Sequence, residues 1–455
     1  MDVAIIGAGV SGLAAAYFLS KAGHHAHVFE SRRQVGGNML TATVQMGAVE
    51  RWADLGVNDF NAVTYTALKP LLDEFGVAYL PLEDSTAFST LDGSYAYTME
   101  GKFGTTMPAA LQAAFNRFER EAFGDSQKRE YADYTVEQYL QAKHYPPEFA
   151  RYNLYPRING MYFVHSTGPA SMSFRAIMHY YGLQEGFGGP PPERKYFVGG
   201  TQNWLHALES KAIEQGATLR RHIPVTVSAS NERALVHTPA GDETFDAVLF
   251  ACHADEVARI LRQGMTQDML NVLGTVQYEN SFAVAHEYAA LLPPNRNAWR
   301  TYNILIHDND ASLRPYTISY VCNRHQNDAQ NPEYNFYGGA EYFVTLNPAR
   351  SIPDQYVLRS ANGARAVSYF PHNIVTNELL NAQKVLHDTV QGQNGVFFTG
   401  GWTKGAGLQQ ECLLSAEFAV KRMLDTGYQD PHTYASEAAV EGYSPLYLHQ
   451  ARDDV

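Results

Sequence analysis

Glycines gather at two apolar strand-to-helix junctions near opposite ends of the chain. Gly7, Gly9 and Gly12 follow a short apolar run and precede an Ala- and Leu-rich stretch. Such a turn binds a pyrophosphate, because its second glycine lets the backbone approach the phosphates and the helix amino terminus faces them with unpaired N–H groups. A second group of glycines, between residues 400 and 407, also precedes a helical pattern. We interpret both junctions as parts of one dinucleotide site.

An acidic residue strengthens the first junction. Glu30 ends a second apolar strand, His27–Phe29. About 20 residues after the glycines, an acidic side chain can accept hydrogen bonds from the ribose hydroxyls of adenosine. The pattern favours an unphosphorylated ribose, but it does not by itself separate NAD from FAD.

Basic residues and a glycine pair follow the acid. A glycine pair gives phosphate oxygens access to backbone amides, and an arginine adds a charge-assisted donor. The predicted cofactor contacts of the amino-terminal region are Gly7, Gly9, Gly12, Glu30, Arg32, Arg33, Gly36, Gly37, Asn38, Gly56 and Val57.

Composition limits the other possibilities. The 455 residues are 45% hydrophobic, and 34 basic against 47 acidic residues give a net charge of −13 without long runs of one sign. This dispersed negative charge argues against a nucleic-acid partner. Three isolated cysteines form no CxxC pair, which disfavours a disulfide framework and a metal site and favours a reducing compartment. With no visible secretory signal and no spanning segment, we expect a cytoplasmic protein.

The middle of the chain returns to the pattern of the first junction. Val198–Gln202 leads into a helix, and short strands follow up to Ala251, with Val225 expected near adenine. The fold class is therefore α/β with a discontinuous cofactor domain, residues 1–65, 195–265 and 385–424. Residues 66–194 and 266–384 would build an α+β cap, and 425–455 a tail that is either an arm on another subunit or a frayed end.

Aromatic clusters in the two cap blocks predict a cavity for an apolar small molecule. They lie at 152–155, 161–163 and 179–181. A second GxGxxG following a strand is missing downstream, which excludes a second nicotinamide domain of the disulfide-reductase kind. Electrons should therefore come from the substrate.

The order of segments resembles a definite group. The chain is similar to FAD/NAD-binding proteins of the flavin amine oxidase superfamily and to flavin-dependent polyunsaturated fatty acid double-bond isomerases. The segments that carry the resemblance are Gly36–Gly37, Gly56–Asn61, Thr64–Tyr65, Leu154–Pro156, Phe174–Arg175, Tyr278–Asn280, His286, Leu291–Pro293, Trp299, Phe343–Pro348, His372 and Thr399–Trp402.

This resemblance implies a Rossmann-like FAD-binding domain of the amine oxidase type with an interleaved cap, and noncovalent FAD. It places the closing loop and helix beside the flavin pyrimidine ring, where a helix amino terminus suits the charge of a reduced flavin. The residues concerned are Gly400, Gly401, Leu408, Gln409 and Gln410. Gly401 stands where many amine oxidases have an acidic residue.

The candidate catalytic residues are His286, His372 and Tyr369, because they lie in segments that resemble those near the site. No metal is expected. The leading hypothesis is an FAD-dependent oxidoreductase that takes hydride from a C–H bond of an unsaturated fatty-acyl or polyketide-like molecule, with O2 as a candidate oxidant.

Three alternatives remain open from the sequence. One is a redox-neutral double-bond isomerase with the same flavin, and another is an amine oxidase. The third is a flavin-binding partner without catalysis. The chain would be a monomer or a homodimer.

Overall fold

The computed structural model describes residues 1–100, 103–104, 106–162, 164, 168–185, 192–307, 315–326 and 340–424. The predicted tail, 425–455, lies outside these residues. The strands in chain order are β1 Asp2–Ile6, β2 His25–Glu30, β3 Thr41–Met46, β4 Val49–Asp54, β5 Asp59–Asn61, β6 Tyr79–Pro81, β7 Ser85–Thr90, β8 Ala96–Glu100, β9 Phe103–Gly104, β10 Arg194–Phe197, β11 Thr218–Arg221, β12 Thr226–Ala229, β13 Ala234–Thr238, β14 Gly241–Phe245, β15 Ala247–Phe250, β16 Leu261–Gln263, β17 Tyr278–His286, β18 Tyr302–Ile306, β19 Tyr316–Val321, β20 Phe343–Leu346, β21 Val367–Asn373 and β22 Val396–Phe398.

The helices lie between these strands, and six of the described helices follow one another between β9 and β10. They are α1 Val10–Lys21, α2 Leu68–Phe75, α3 Ala109–Ser126, α4 Val136–Ala142, α5 Pro147–Phe149, α6 Tyr155–Tyr162, α7 Gly168–Ser171, α8 Phe174–Glu185, α9 Gln202–Glu214, α10 Ala254–Ile260, α11 Gln267–Thr275, α12 Cys322–His325, α13 Asn377–Val385 and α14 Gln409–Leu424. No helix among the described residues is long and apolar enough to cross a membrane.

A five-stranded parallel sheet, in the order β11-β2-β1-β15-β22, forms the centre of the first domain. Successive side chains of a strand point to opposite faces. Val3 and Ile5 therefore belong to the core shared with α1, α9 and α14, whereas Ala4 and Ile6 belong to the core on the opposite face. That second core includes the mixed sheet β14-β13-β12-β16, in which only β12 and β16 pair in parallel. The predicted α/β fold class is confirmed.

A single eight-stranded sheet forms the cap, although its strands come from two separate blocks of chain. Its order is β21-β17-β20-β19-β18-β7-β8-β9. The two blocks join where β7 pairs in parallel with β18, Thr86 lying opposite Tyr302. One large core covers this sheet and the helices of the first block, including α3, α6 and α8.

The packing differs from the predicted domain boundaries at three helices. Leu68, Leu71 and Leu72 of α2 lie in the core shared with α1 and α14, although the sequence assigned α2 to the cap. In the same way, Met269 of α11 and Ala382 of α13 pack on the other face of the parallel sheet, although the sequence assigned both residues to the cap. The cause is the apolar face of each helix, which is buried against the nearest sheet whatever its place in the chain.

Candidate functional site

Two cavities adjoin between the parallel sheet and the cap. The dinucleotide cavity is lined by Gly9, Val10, Ser11, Gly36, Gly37, Asn38, Met39, Val57, Ala251, Cys252, His253, Tyr278, Phe370, Pro371, His372, Asn373, Gly400, Gly401, Trp402, Gly407, Gln409 and Cys412. The cap cavity is lined by Val57, Asn58, Asp59, Tyr65, Asp84, Thr86, Met99, Arg157, Gly160, Met161, Tyr180, Gln184, Arg194, Tyr302, Ile304, Ile318, Tyr320, His372, Gly407, Leu408 and Gln409. Val57, His372, Gly407 and Gln409 line both and mark the junction.

The first glycine turn brings strand and helix into direct contact. A Cβ on Gly12 would lie 2.0 Å from the carbonyl oxygen of Gly7 and 3.1 Å from Cβ of Ala251. Only glycine fits this position, so α1 can begin immediately above the carboxyl end of β1. Gly9, at the amino terminus of α1, lines the dinucleotide cavity as predicted for a pyrophosphate contact.

Two buried amide atoms in the dinucleotide cavity have no protein partner. Asn38 donates from Nδ2 to the carbonyl of Pro371 at 2.8 Å, but its Oδ1 has none. Nδ2 of Asn373, in the same wall, also has none. Buried polar atoms are normally hydrogen-bonded, so an acceptor and a donor here require a polar ligand. Together with the glycine walls, they fit a dinucleotide cofactor.

The other amino-terminal candidates differ in what they contact. Glu30 is buried and its carboxylate accepts from the backbone N–H groups of Ala8 and Arg32, both at 2.8 Å, which leaves lone pairs for a ribose. Arg32 donates to the carbonyl of Gly37 at 3.2 Å. Arg33 is exposed. Val225 packs against the core that includes the sheet β14-β13-β12-β16, and its expected place near adenine stays a prediction.

The closing loop folds back on itself. A Cβ on Gly407, whose φ is +80°, would lie 2.4 Å from the carbonyl of Gly401, so these two glycines bring both ends of the loop to the dinucleotide cavity. Gly400 lines the same cavity, and Leu408 lines the cap cavity. Gly56, farther back, fits tightly too, since its Cβ would lie 2.2 Å from the carbonyl of Asn38.

The two glutamines at the start of α14 have different roles. Gln409 accepts from Trp204 Nε1 at 2.9 Å and lines both cavities. Gln410 turns away, because its Oε1 accepts from the N–H groups of Ala67 and Leu68 at 2.8 and 3.1 Å. Its side chain therefore satisfies the amino terminus of α2. The expected cofactor contact of Gln410 rested on the unpaired N–H groups at the start of α14, and it stays a prediction.

A buried acid supports the closing loop from behind. Glu411 accepts from His179 at 3.1 Å and from the N–H of Leu408 at 3.0 Å. Burial acts to raise the pKa of Glu411, but the hydrogen bonds from His179 and the loop backbone outweigh it and lower that pKa. The sequence indicated no role for the Glu411 side chain and placed His179 only in the aromatic cluster at 179–181.

The wall of the cap cavity contains an ion pair that the sequence did not reveal. Arg194 Nη2 donates to both carboxylate oxygens of Asp59, at 2.8 and 2.7 Å, and Tyr302 donates to the same carboxylate at 2.7 Å. Asp84 lies 3.6 Å from Arg194 Nη1. The Asp59–Arg194 bonds join residues 135 positions apart, and the Asp59–Tyr302 bond joins residues 243 positions apart. No local sequence pattern connects them.

Apolar side chains and one more cation also line the cap cavity, beside its other polar residues. Methionine and isoleucine side chains, Met99, Met161, Ile304 and Ile318, line it. The buried guanidinium of Arg157 lies 4.9 Å from the ring centroid of Tyr181 and 5.4 Å from that of Phe115. The predicted aromatic clusters contribute only in part, through Met161 and Tyr180.

Of the three catalytic candidates, His372 alone lies at the junction of the cavities. Its Nδ1 is 3.1 Å from the carbonyl of Asn373. A carbonyl only accepts, so Nδ1 carries the proton and Nε2 is the basic nitrogen. Burial lowers the pKa of His372 to about 4, and the imidazole is therefore neutral at physiological pH.

The other two candidates lie elsewhere, which corrects the prediction. His286 is buried inside the cap sheet, where its Nε2 bonds to Thr345 Oγ1 at 2.6 Å and its Nδ1 accepts from the N–H of Tyr288 at 3.0 Å. Both ring nitrogens are thus used by the sheet. Tyr369 is 74% exposed and stacks on Phe282 with ring centroids 4.6 Å apart. Neither residue lines a cavity described above.

Known proteins resemble this chain over different lengths. The probable flavin-containing monoamine oxidase A of Dictyostelium discoideum is 27% identical over 256 residues, 51% of this chain and 52% of that protein. The chain thus spans about half the length of this curated relative. Putrescine oxidase bound to putrescine has a similar structure, with a TM-score of 0.66 at 16% identity over 93% of this chain and 99% of that one. Cyclohexylamine oxidase from Brevibacterium oxydans gives 0.66 at 14% identity, over 93% and 98%.

The family model for flavin containing amine oxidoreductases matches residues 10–424, from the start of α1 to the end of α14. This match includes every cavity-lining residue named above except Gly9, and every strand of the parallel sheet except β1. The match implies a flavin cofactor, and the chain belongs to the flavin containing amine oxidoreductase family.

Proposed function

We propose that the protein is an FAD-dependent oxidoreductase that removes hydride from a C–H bond of a small molecule bound in the cap cavity. The observation that carries this proposal is the junction of the two cavities at Val57, His372, Gly407 and Gln409. A substrate in one cavity and a cofactor in the other can touch only there. Flavin supplies a hydride acceptor when bound.

The choice of noncovalent FAD rests on the residues around the first glycine turn and on the state of Cys412. Glu30 and the first glycine turn suit an adenosine diphosphate portion. Cys412 lines the cavity, but burial raises the pKa of its thiol to about 12, which keeps it a poor nucleophile. No disulfide joins Cys252, Cys322 and Cys412, which all lie in the described part of the chain, and the cytoplasmic location expected from cysteine usage belongs to the same proposal.

The protein side chains have three tasks in this mechanism. Leu408 and the apolar wall exclude water and orient the substrate. The buried Asp59–Arg194 pair holds part of the wall of the cap cavity in place. His372, neutral with its basic Nε2 in the acceptor form, can take the proton that accompanies loss of hydride when a double bond is formed.

The substrate class follows from the lining. Met99, Met161, Ile304 and Ile318 suit an extended hydrocarbon body, and we propose an unsaturated fatty-acyl or polyketide-like chain. The cap cavity encloses about 1040 Å³ of empty space, open solvent at its mouth included.

An absorbance spectrum and an anaerobic titration test this function. The purified, flavin-loaded protein is expected to be yellow and to bleach with an unsaturated fatty acid or a polyketide-like alcohol. A yellow protein that never bleaches, but moves a double bond without oxygen, would identify the redox-neutral isomerase instead. A protein that binds no flavin would contradict the whole proposal.

Amine oxidation is a second candidate because the cap cavity contains a carboxylate, Asp84, whose side chain is 28% exposed. An ammonium group could pair with it before losing its proton. The relatives named above act on amines by name. Bleaching by primary amines, with release of ammonia after reoxidation, would favour this candidate over oxidation of a hydrocarbon chain.

A further inference from the structure

A hydrogen-bonded pair in the wall of the cap cavity is incompletely satisfied. Gln184, near the end of α8, is 5% exposed, and Tyr65, just before α2, is 2% exposed. Their side chains are 2.5 Å apart, with the amide nitrogen donating to the phenol oxygen. Oε1 of Gln184 is buried and has no hydrogen-bond partner among the described residues of the chain. Both residues line the cavity.

Counting donors and acceptors shows what this pair needs. When the Gln184 amide nitrogen donates to Tyr65, the glutamine oxygen is left as an acceptor and the phenol hydrogen as a donor. Turning the amide over makes Tyr65 donate to the glutamine oxygen, and the amide hydrogens then become donors and the phenol oxygen an acceptor. In either arrangement, the pair presents at least one donor and one acceptor to the cavity.

Arg194 adds a third polar atom to the same wall. Its Nη2 is occupied by the Asp59 carboxylate, but its Nε is buried without a protein partner. The charge of this guanidinium is neutralised by Asp59, with Asp84 also nearby at 3.6 Å. Nε can therefore donate a hydrogen bond to a ligand. Because the charge of Arg194 is already balanced, this ligand group need not be an ion.

We propose that the substrate carries an uncharged group that both donates and accepts hydrogen bonds, a hydroxyl or a carboxamide, and that Gln184 and Tyr65 bind it. This inference rests on the proposed function and narrows its substrate class. A bare hydrocarbon satisfies neither atom, a carboxylate cannot donate and an ammonium ion cannot accept. Each mismatched ligand leaves a buried polar atom unpaired, which is unfavourable.

A matched set of probes tests this proposal: octan-1-ol, octanamide, octanoate and octylamine. They share one apolar chain and differ only in the head group. Dissociation constants are measured with the flavin-loaded protein by perturbation of the flavin spectrum and by thermal shift. We expect octan-1-ol and octanamide to bind about tenfold more tightly than octanoate and octylamine. Octanoate binding best would assign recognition to Arg157 and overturn the proposal, and octylamine binding best would assign it to Asp84 and do the same.

Two variants locate the effect. Gln184→Leu removes donor and acceptor together and is expected to reduce the tenfold preference to less than about threefold. Tyr65→Phe keeps the ring and removes only the hydroxyl group, so it gives a second measurement if Gln184→Leu does not fold. Gln141→Leu, at an exposed position of α4, is the control and should keep the full preference. An unchanged preference in both cavity variants would overturn the proposal.

These binding measurements are independent of turnover. If no compound ever bleaches the flavin, the proposed oxidation fails while the head-group preference can still be observed. If the flavin bleaches but the preference is missing, the oxidation stands and the assignment of Gln184 and Tyr65 fails.

Discussion

The two cavities meet at His372, yet main-chain atoms line much of one and side chains line most of the other. Much of the dinucleotide cavity is backbone, with Gly9, Gly37 and Gly401 leaving room for a ligand. The cap cavity is lined largely by side chains, among them a buried ion pair and several tyrosines. A backbone wall is damaged by any added atom, whereas a side-chain wall is damaged when one partner of a contact is removed. The two cavities should therefore respond differently to substitution.

The largest effect is expected from adding atoms to the backbone wall. Gly12→Val places branched carbons where a Cβ would already lie 2.0 Å from the Gly7 carbonyl. We expect flavin binding to weaken at least about tenfold, because α1 must move away from β1. The flavin-to-protein absorbance ratio after gel filtration measures this. Gly124→Ala, where a Cβ meets nothing within 4 Å, should keep its flavin. A fully loaded Gly12→Val protein would contradict the backbone interpretation.

Removing one partner from the side-chain wall should be the next largest effect. Arg194→Met leaves Asp59, whose side chain is 8% exposed, without its cation, and we expect about 3–5 kcal/mol less unfolding free energy. Urea unfolding provides the measurement. Arg324→Met breaks the more exposed pair with Glu83 and should cost about 1 kcal/mol or less. Similar losses in the two variants would show that the Arg194 pair has no special role.

His372→Gln tests the junction itself. We expect kcat/KM to fall about a hundredfold, because the amide cannot take a proton. The pKa of about 4 means that the basic form is lost only as the pH falls toward 4, so the wild-type profile should show no ionisation of His372 above about pH 6. His286→Gln should instead reduce stability and leave the rate of the folded fraction unchanged. Equal rate losses in both variants would refute this distinction.

Asp54 provides a smaller effect that depends on pH. Thr41 Oγ1 donates to its carboxylate at 2.5 Å and the N–H of Thr201 at 3.0 Å, yet burial raises the pKa of Asp54 to about 6. The folded protein therefore holds this proton more tightly than the unfolded chain. Stability from this group is full below about pH 4 and is lost as the pH rises through 6, by roughly 2 kcal/mol. Urea unfolding at pH 4 and 7 should show a smaller difference in Asp54→Asn, and an unchanged difference would exclude Asp54 as the cause.

The smallest effect is expected at Tyr369. Its ring is 74% exposed and touches neither cavity. Tyr369→Ala should change the free energy of unfolding by about 0.5 kcal/mol or less and leave flavin reduction unaltered. Stopped-flow reduction and urea unfolding measure both quantities. Slower reduction would mean that the cap cavity communicates with this outer face.

The sequence could indicate a glycine-lined cofactor site because the signal for such a site is local. The glycines of the first turn and Glu30 lie within one strand-turn-helix-strand segment, and their spacing alone indicates a dinucleotide. The cap cavity lacks such a signal, since Asp59, Arg194 and Tyr302 meet only when β5, β10 and β18 assemble. His286 shows the limit of resemblance, because it lies in a matching segment but its ring is held by Thr345 within the sheet.

The interleaving of the two domains has a consequence for synthesis on the ribosome. The parallel sheet needs β22, at residues 396–398, to cover β15, and the cap sheet needs β18 to join the hairpin begun at β7. An elongating chain can therefore finish neither domain until most of it has been translated, and β15 has an open edge until then. Contacts this distant in sequence slow folding. Nascent chains of this protein should therefore need protection from aggregation longer than chains whose domains are continuous.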